Sequence, residues 1–196
     1  MAFATIDVTK GITGTIPVAN GGTGLTSGTT GQFLKFTGST TVASSAVDAG
    51  KVLQVQSMNY STEKTRSITS FADTGLDLSI TPSATTSKIL VFGSCGNWEM
   101  SDNNTQSADV KVTRTISSTE TDIIAQLIND GGAFTNLAGS VYRTFIGHAS
   151  FVYLDTTNTT SAVQYKVRYK PTSTTGYAGV QMHSSTSSIT AFEIGA

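Results

Sequence analysis

Apolar and polar positions alternate along much of the chain beyond residue 51. Val163, Tyr165, Val167 and Tyr169 alternate with Gln164, Lys166, Arg168 and Lys170 until Pro171 ends the run. That period of two belongs to a strand with one buried and one wet face. Residues 51–58 alternate less cleanly: Leu53 and Val55 share a face with Ser57, and Val52 and Met58 share the other with Gln54 and Gln56. Lys88-Ile89-Leu90-Val91-Phe92 is instead a continuous apolar run between a Thr/Ser cluster and Gly93, which predicts a strand covered on both faces. Further strands are expected near 65–71, 76–80, 108–116, 121–128, 141–154 and 187–194. Only 121–127 competes as a helix, and β-branched Ile123 and Ile124 favour strand there. Asn129-Asp130-Gly131-Gly132 predicts a turn, since these residues tolerate positive φ. About ten short strands separated by polar turns predict an all-β domain over 51–196, a β-sandwich or jelly roll.

The first 50 residues follow another rule. Eight of the 19 glycines fall between residues 11 and 38, with small apolar beads between them (Ile12, Ile16, Val18, Leu25, Phe33, Leu34 and Phe36). Glycine loses the most backbone entropy on folding and brings no side chain to a core, so this segment cannot bury a core alone. It is either a flexible linker or an extended segment ordered against another chain. The apolar beads favour docking, because a solvated linker has no use for them.

Composition narrows the function. Thr and Ser together supply 58 of the 196 residues, which favours strands and turns over helices. Charged residues make up 13% and the formal net charge is −1. With no basic run, the chain lacks the electrostatic footprint of a nucleic-acid or anionic-lipid binder. One Cys (Cys95) and two His (His148, His183) supply neither a disulfide framework nor a Cys/His zinc site. A shared ion on a threefold axis would need His148 or His183 from symmetry mates. No apolar stretch approaches the ~20 residues of a membrane-spanning helix. The N-terminus has no secretory pattern, so synthesis in a reducing cytoplasm is expected, and the N-x-S/T triplets at Asn59, Asn103 and Asn158 read as loop polarity.

Catalytic signatures are weak, and a non-enzymatic role without cofactor or resident metal is expected. Gly22-Thr23-Gly24-Leu25-Thr26-Ser27-Gly28 is one residue off a dinucleotide loop, with no buried strand before it and no helix after it. His148 and His183 read as half-buried strand histidines outside any triad context. A polysaccharide-cleaving carboxylate pair could lie far apart in sequence, but only four Glu and nine Asp are present, mostly in expected turns. Binding is the better prospect. Trp98 lies beside Asp102, Asn103 and Asn104, an aromatic face with amide and carboxylate acceptors that suits a glycan; the competing reading makes Trp98 a core cap. Asn158, in Asp155-Thr156-Thr157-Asn158, and Tyr177, at the end of 172–177, are further loop candidates.

The segment GTIPVANGGTGLTSGTTGQFL (14–34) resembles the G-T-x-P-V-A-N-G-G-T-G segment that recurs in fibre-like virion proteins of tailed bacteriophages. SITPSATTSKILVF (79–92), YLDTTNTTSAVQYKVRY (153–169) and STSSITAFEIGA (185–196) resemble the C-terminal domain of phage fibre-like proteins, which is similar to trimeric jelly-roll heads of the C1q/TNF type. The resemblance implies an appendage on the virion exterior, assembled in the host cytoplasm and homotrimeric. Residues 1–50 would be a virion-docking or stalk segment, with Ile16, Pro17, Val18, Asn20, Gly21, Gly22, Gly24 and Leu25 making its contacts. Residues 51–196 would be a head facing the host surface. A capsid-decoration or head-fibre role is the rival reading, and a tailspike-type enzyme a remote one.

Overall fold

The computed structural model describes residues 16, 22–25, 27–46, 50–102, 108–128 and 143–195, with backbone alone at 101, 102, 128 and 143–146. The expected turn at 129–132 lies outside them. The chain divides into two units, residues 1–51 and 52–196.

In the first unit, β1 (Phe33–Phe36) and β2 (Val42–Ser45) form an antiparallel hairpin with Phe33 opposite Ser45 and Phe36 opposite Val42. Its turn is closed by Thr37 N–H donating to Thr41 O at 3.0 Å. The segment expected to be extended therefore folds back locally. A second closure precedes it: Gly24 N–H donates to Ile16 O at 3.2 Å. Gly22 sits so close to that carbonyl that a Cβ would lie 2.1 Å from the oxygen, so only glycine fits there.

The second unit is all-β and antiparallel. Its strands are β3 (Val52–Tyr60), β4 (Lys64–Arg66), β5 (Ala72–Ile80), β6 (Lys88–Asp102), β7 (Ala108–Ile116), β8 (Thr119–Ile128), β9 (Arg143–Asp155), β10 (Val163–Pro171), β11 (Tyr177–Val180) and β12 (Ser187–Ile194). One sheet has the order β5-β10-β7-β8; the other runs β3-β12-β6-β11-β4, with β9 along the far side of β6. Both sheets contribute to one core, which includes Leu76, Leu78, Val112, Val163 and Val167 from the first and Ile89, Val91, Phe151, Ile189 and Ala191 from the second. This is the arrangement of a β-sandwich.

Three expectations need correction. The strand expected at 65–71 stops at Arg66, whose guanidinium donates to Ile68 O, Ser70 O and Ser70 Oγ and folds the following residues into a bend. β11 was not expected: four residues containing Gly179 carry too little alternation to be seen. The run 88–92 is covered on one face only, with Ile89 and Val91 fully buried but Phe92 39% exposed.

The outward face of the four-stranded sheet follows the usual rule for a wet surface. On β10, Lys166 pairs with Asp73 and Asp77, Arg168 with Asp73 and Glu120, and Lys170 with Asp109. Lys111 on β7 pairs with Asp122 on β8 at 2.7 Å. Cross-strand register places these opposite charges side by side, the sheet equivalent of helical i, i+4 pairs.

Candidate functional site

Of the expected glycan-facing residues, the three whose side chains are described, Trp98, Asn158 and Tyr177, do not come together. Trp98 is 5% exposed. It lies opposite Gly147 on β9, where a Cβ would come within 2.7 Å of the indole ring. The glycine lets the ring lie flat over the neighbouring strand, so Trp98 is core material and offers no free face to a sugar. Asp102 ends β6 and is described by its backbone alone, while Asn103 and Asn104 lie outside the described residues. Asn158 is exposed in the β9–β10 loop with φ +51°. Tyr177 opens β11, opposite Ser101. The β9–β10 loop follows Asp155, which pairs with Ile89 near the start of β6, so Asn158 and Tyr177 stand towards opposite ends of that strand, separated by ~40 Å of strand rise.

Tyr177 belongs to a polar knot that sequence reading missed. Glu99, 4% exposed on β6, accepts a hydrogen bond from Tyr177 Oη through Oε1 and contacts His183 Nε2 through Oε2 at 2.8 Å. His183 sits in the β11–β12 connection rather than in a strand. Gln181, His183 and Ser184 there have φ of +57°, +57° and +59°, a left-handed conformation that non-glycine residues rarely adopt. Met182 N–H donates to Asn97 O at 3.0 Å, and Ser184 N–H to Glu63 Oε1 at 3.3 Å. These bonds hold the strained connection against β6 at Asn97 and against the β3–β4 loop at Glu63. Both oxygens of Glu99 are thus engaged in a tether. The signal was the local cluster Tyr177…His183, but Glu99 is 84 residues from His183 in sequence and no spacing rule joins them.

No nucleophile stands ready at Cys95. Its side chain is 1% exposed, and burial pushes its thiol up to about 11, against the smaller opposing effect of its Ser187 hydrogen bond. A thiol so placed is inert. His148 is exposed on β9. Among the described residues, no three His, Cys, Asp or Glu side chains converge as metal ligands would, and no helix is long and apolar enough to cross a membrane.

The most unusual surface lies on the larger sheet. Register across β3, β12, β6 and β9 lines up Gln54, Glu193, Ile89 and Asp155 in one row and Val55, Phe192, Leu90 and Leu154 in the next. Successive residues of a strand point to opposite faces, so these rows face opposite ways. The inward row holds two carboxylates: Glu193 is 0% and Asp155 2% exposed. The outward row is wholly apolar. Outward in the following row, Phe92 stands beside Val152, and the Phe92 and Phe192 rings stack with centroids 5.5 Å apart. Val152 is 68% exposed, Leu154 51% and Val55 48%. The row of Phe92 ends in hydroxyls, since Thr190 lies opposite Phe92 and its Oγ1 is 2.9 Å from Ser57 Oγ.

Both inward carboxylates are fully served. Asp155 accepts from Arg114 NH1 at 2.7 Å and from Tyr165 Oη at 2.8 Å; burial, reinforced by that bond to Asp155, drives the Tyr165 hydroxyl far above its ordinary range. Glu193 accepts from Ser83 N–H, Ser83 Oγ and Gln54 Nε2, each at 2.6 Å. Burial pushes the Glu193 carboxyl up, but the bonds from Ser83 and Gln54 outweigh it and hold the group at about 2.

In the first unit, Ile16, Gly22, Gly24 and Leu25 fall within the described residues, whereas Pro17, Val18, Asn20 and Gly21 lie outside them. The hairpin after them exposes Phe33 at 63%, Leu34 at 59% and Phe36 at 69%.

No family model matches the chain, and no curated protein matches it. Among solved structures, it is similar to the infectious bursal disease virus VP2 subviral particle (13% identity, TM-score 0.31, covering 83% of this chain and 41% of that one). It is also similar to the structure of the infectious bursal disease virus Gx strain (14% identity, TM-score 0.31, 81% of this chain and 41% of that one). The chain thus spans about two fifths of the length of the structures it matches. Alignments at this TM-score do not establish a common fold.

Proposed function

We propose that the chain is a non-enzymatic virion protein of a tailed bacteriophage, a short fibre-like appendage. Residues 1–50 attach it to the particle or form a short stalk, and residues 51–196 form a projecting trimeric head of the C1q/TNF-like jelly-roll type that contacts the host surface. The observation that carries the reading is the exposed apolar strand Phe33–Phe36 of the hairpin that follows the GTIPVANGGTG segment after residues 25–32. A two-stranded hairpin is marginal in water by itself, and its apolar side chains gain stability only where another surface covers them. The closure of Gly24 on Ile16 supports the same reading, because it gives the glycines of the motif a structural purpose beyond flexibility. Host contact falls to the loops at the ends of the sandwich, where strand frameworks present variable residues.

Capsid decoration is the second reading, favoured by the apolar outer face around Phe92 and Val152, which suits a closely packed neighbour. Immunogold labelling and reconstruction of particles from cells that make the protein test both. Label at the tail supports the appendage; label on capsomers alone replaces it with decoration; absence from particles overturns both.

A further inference from the structure

We infer that the outward face of β3, β12, β6 and β9 is where copies of this chain meet one another. Three observations point to it. The first is the inversion of the two rows. A sheet wet on one side turns its apolar row inward and its polar row out, yet here Glu193 and Asp155 point in while Phe192, Leu90 and Leu154 point out. A slip of one residue would reverse all of them. The chain instead holds this register and satisfies both buried carboxylates with dedicated donors. The outward row is thus composed like a second core, and the continuous run Ile89–Phe92 has the pattern of a strand covered twice.

The second is area. The exposed parts of the apolar side chains on this face amount to on the order of 500 Å², the upper end for the largest patch on a monomer. With the hydroxyl-bearing rows as a rim, the face approaches the ~800 Å² per partner of a standard interface.

The third is charge. The ionisable residues on this face stand at its margins: Lys88 opposite Ile194 at one end, and His148 at the β6–β9 register shift at the other. Between them, among the described residues, the outward rows are apolar or hydroxyl-bearing apart from the uncharged amide of Asn59. A partner selected by charge would find little to read, whereas a second copy meets the face without repulsion. The chain's net charge of −1 adds no long-range barrier. The opposite outer face, laddered with Lys, Arg, Asp and Glu, has the composition of a surface that stays in water.

This inference rests on reading the chain as a subunit of a larger assembly and names the surface that does the assembling. The test uses the full chain. In sedimentation velocity at micromolar concentration, the wild type should be an oligomer. Val152→Asp should weaken association at least tenfold with an unchanged circular dichroism spectrum, and Gln164→Asp on the opposite face should not. Val152→Cys supplies a second measurement that preserves the apolar surface. With Cys95 buried, the new thiol is the accessible one, and a short bifunctional maleimide should join copies covalently. A wild type that remains monomeric at 100 µM overturns the inference, as does a Val152→Asp variant that associates as tightly as the parent. A monomeric Val152→Cys variant whose introduced thiol resists labelling assigns the cover to the chain's own residues and overturns it equally. Failure here leaves the particle location untouched, and absence from particles leaves the sedimentation result untouched.

Discussion

The two outer faces of this sandwich are built on opposite principles. On the four-stranded sheet, β10 sets Lys166, Arg168 and Lys170 among Asp73, Asp77, Asp109 and Glu120. On the larger sheet, the equivalent positions hold Val55, Phe192, Leu90, Phe92, Val152 and Leu154. Both sheets turn their other face to the same core. The difference therefore lies in the side chains each outer face presents rather than in any difference in strand-forming tendency. Charge ladders keep a face in water and discourage edge-to-edge pairing; an apolar outer face is a liability unless it is covered. The cost of the second arrangement is visible inside, where Glu193 and Asp155 occupy core positions.

The largest effects should come from breaking that internal arrangement. Asp155→Ala removes the acceptor for Arg114 and Tyr165 together, leaving a cation and a hydroxyl without their partner. Deleting one member of a fully buried ion pair costs about 3–5 kcal/mol; the stranded Arg114 keeps 22% exposure, so urea denaturation should register a loss at or below the lower end of that range. Replacing a ladder carboxylate such as Asp77 should cost far less, since exposed pairs contribute roughly 0–1 kcal/mol. Equal losses at the two positions would erase the distinction between a built-in carboxylate and a surface one.

Acid should act next. The folded Glu193 carboxyl titrates at about 2, below its ordinary 4.5. A group with a depressed folded pKa stabilises the native state above its unfolded value, and that contribution disappears as pH falls through the folded value. Thermal midpoints should therefore drop between pH 4.5 and about 2. Glu193→Gln should be less stable than the parent at neutral pH and should lose less over that acid window. An acid limb unchanged by Glu193→Gln would show that its hydrogen bonds from Ser83 and Gln54 do not set the acid response.

How much of this was legible depends on the distance over which each feature is written. β10 and β12 could be read from their own residues, because alternation is local and each strand has one consistent inner face. The run Ile89–Phe92 was legible only as a strand: its apolar residues occupy both faces, yet Ile89 and Val91 are buried while Phe92 stays 39% exposed. Asp155 looked like a loop residue because it follows Leu154 and precedes Thr156, and nothing local announces Arg114 across the sandwich. The residues near Trp98 allow either a sugar-stacking face beside Asp102, Asn103 and Asn104 or a core cap; its burial decides for the cap, and that burial depends on Gly147 in a distant strand. Glu193 bonds to Gln54 across 139 positions. Contacts of that range arise from topology and register, which sequence periodicity does not encode. In the first unit, the glycine cluster was visible but its purpose was not, since the approach of Gly22 to Ile16 needs a backbone path to reveal it.

The smallest effect sharpens the contrast between the outer faces most directly, because it concerns sign rather than size. Lys111 and Asp122 pair across β7 and β8 at 2.7 Å, and Asp122 is 41% exposed. Solvent screens such a pair, so Lys111→Ala should cost no more than about 0.5–1 kcal/mol at low salt. Part of that loss should vanish as sodium chloride rises and the Debye length contracts from ~10 Å at 0.1 M to ~3 Å at 1 M. Lys111 also lies over the Phe71 ring at 4.5 Å, so a residual loss should persist at high salt from the cation–ring contact and the buried methylenes. On the apolar face the dependence should reverse. Association through Val152 and Phe92 should tighten in sulfate, which is excluded from apolar surface and favours its burial. Chemical denaturation of Lys111→Ala across a salt series, run beside sedimentation of the parent in sulfate, reads both slopes. Slopes of the same sign would mean that the two faces are held by one kind of interaction, and the apolar rows would then lose their claim to be an assembly surface.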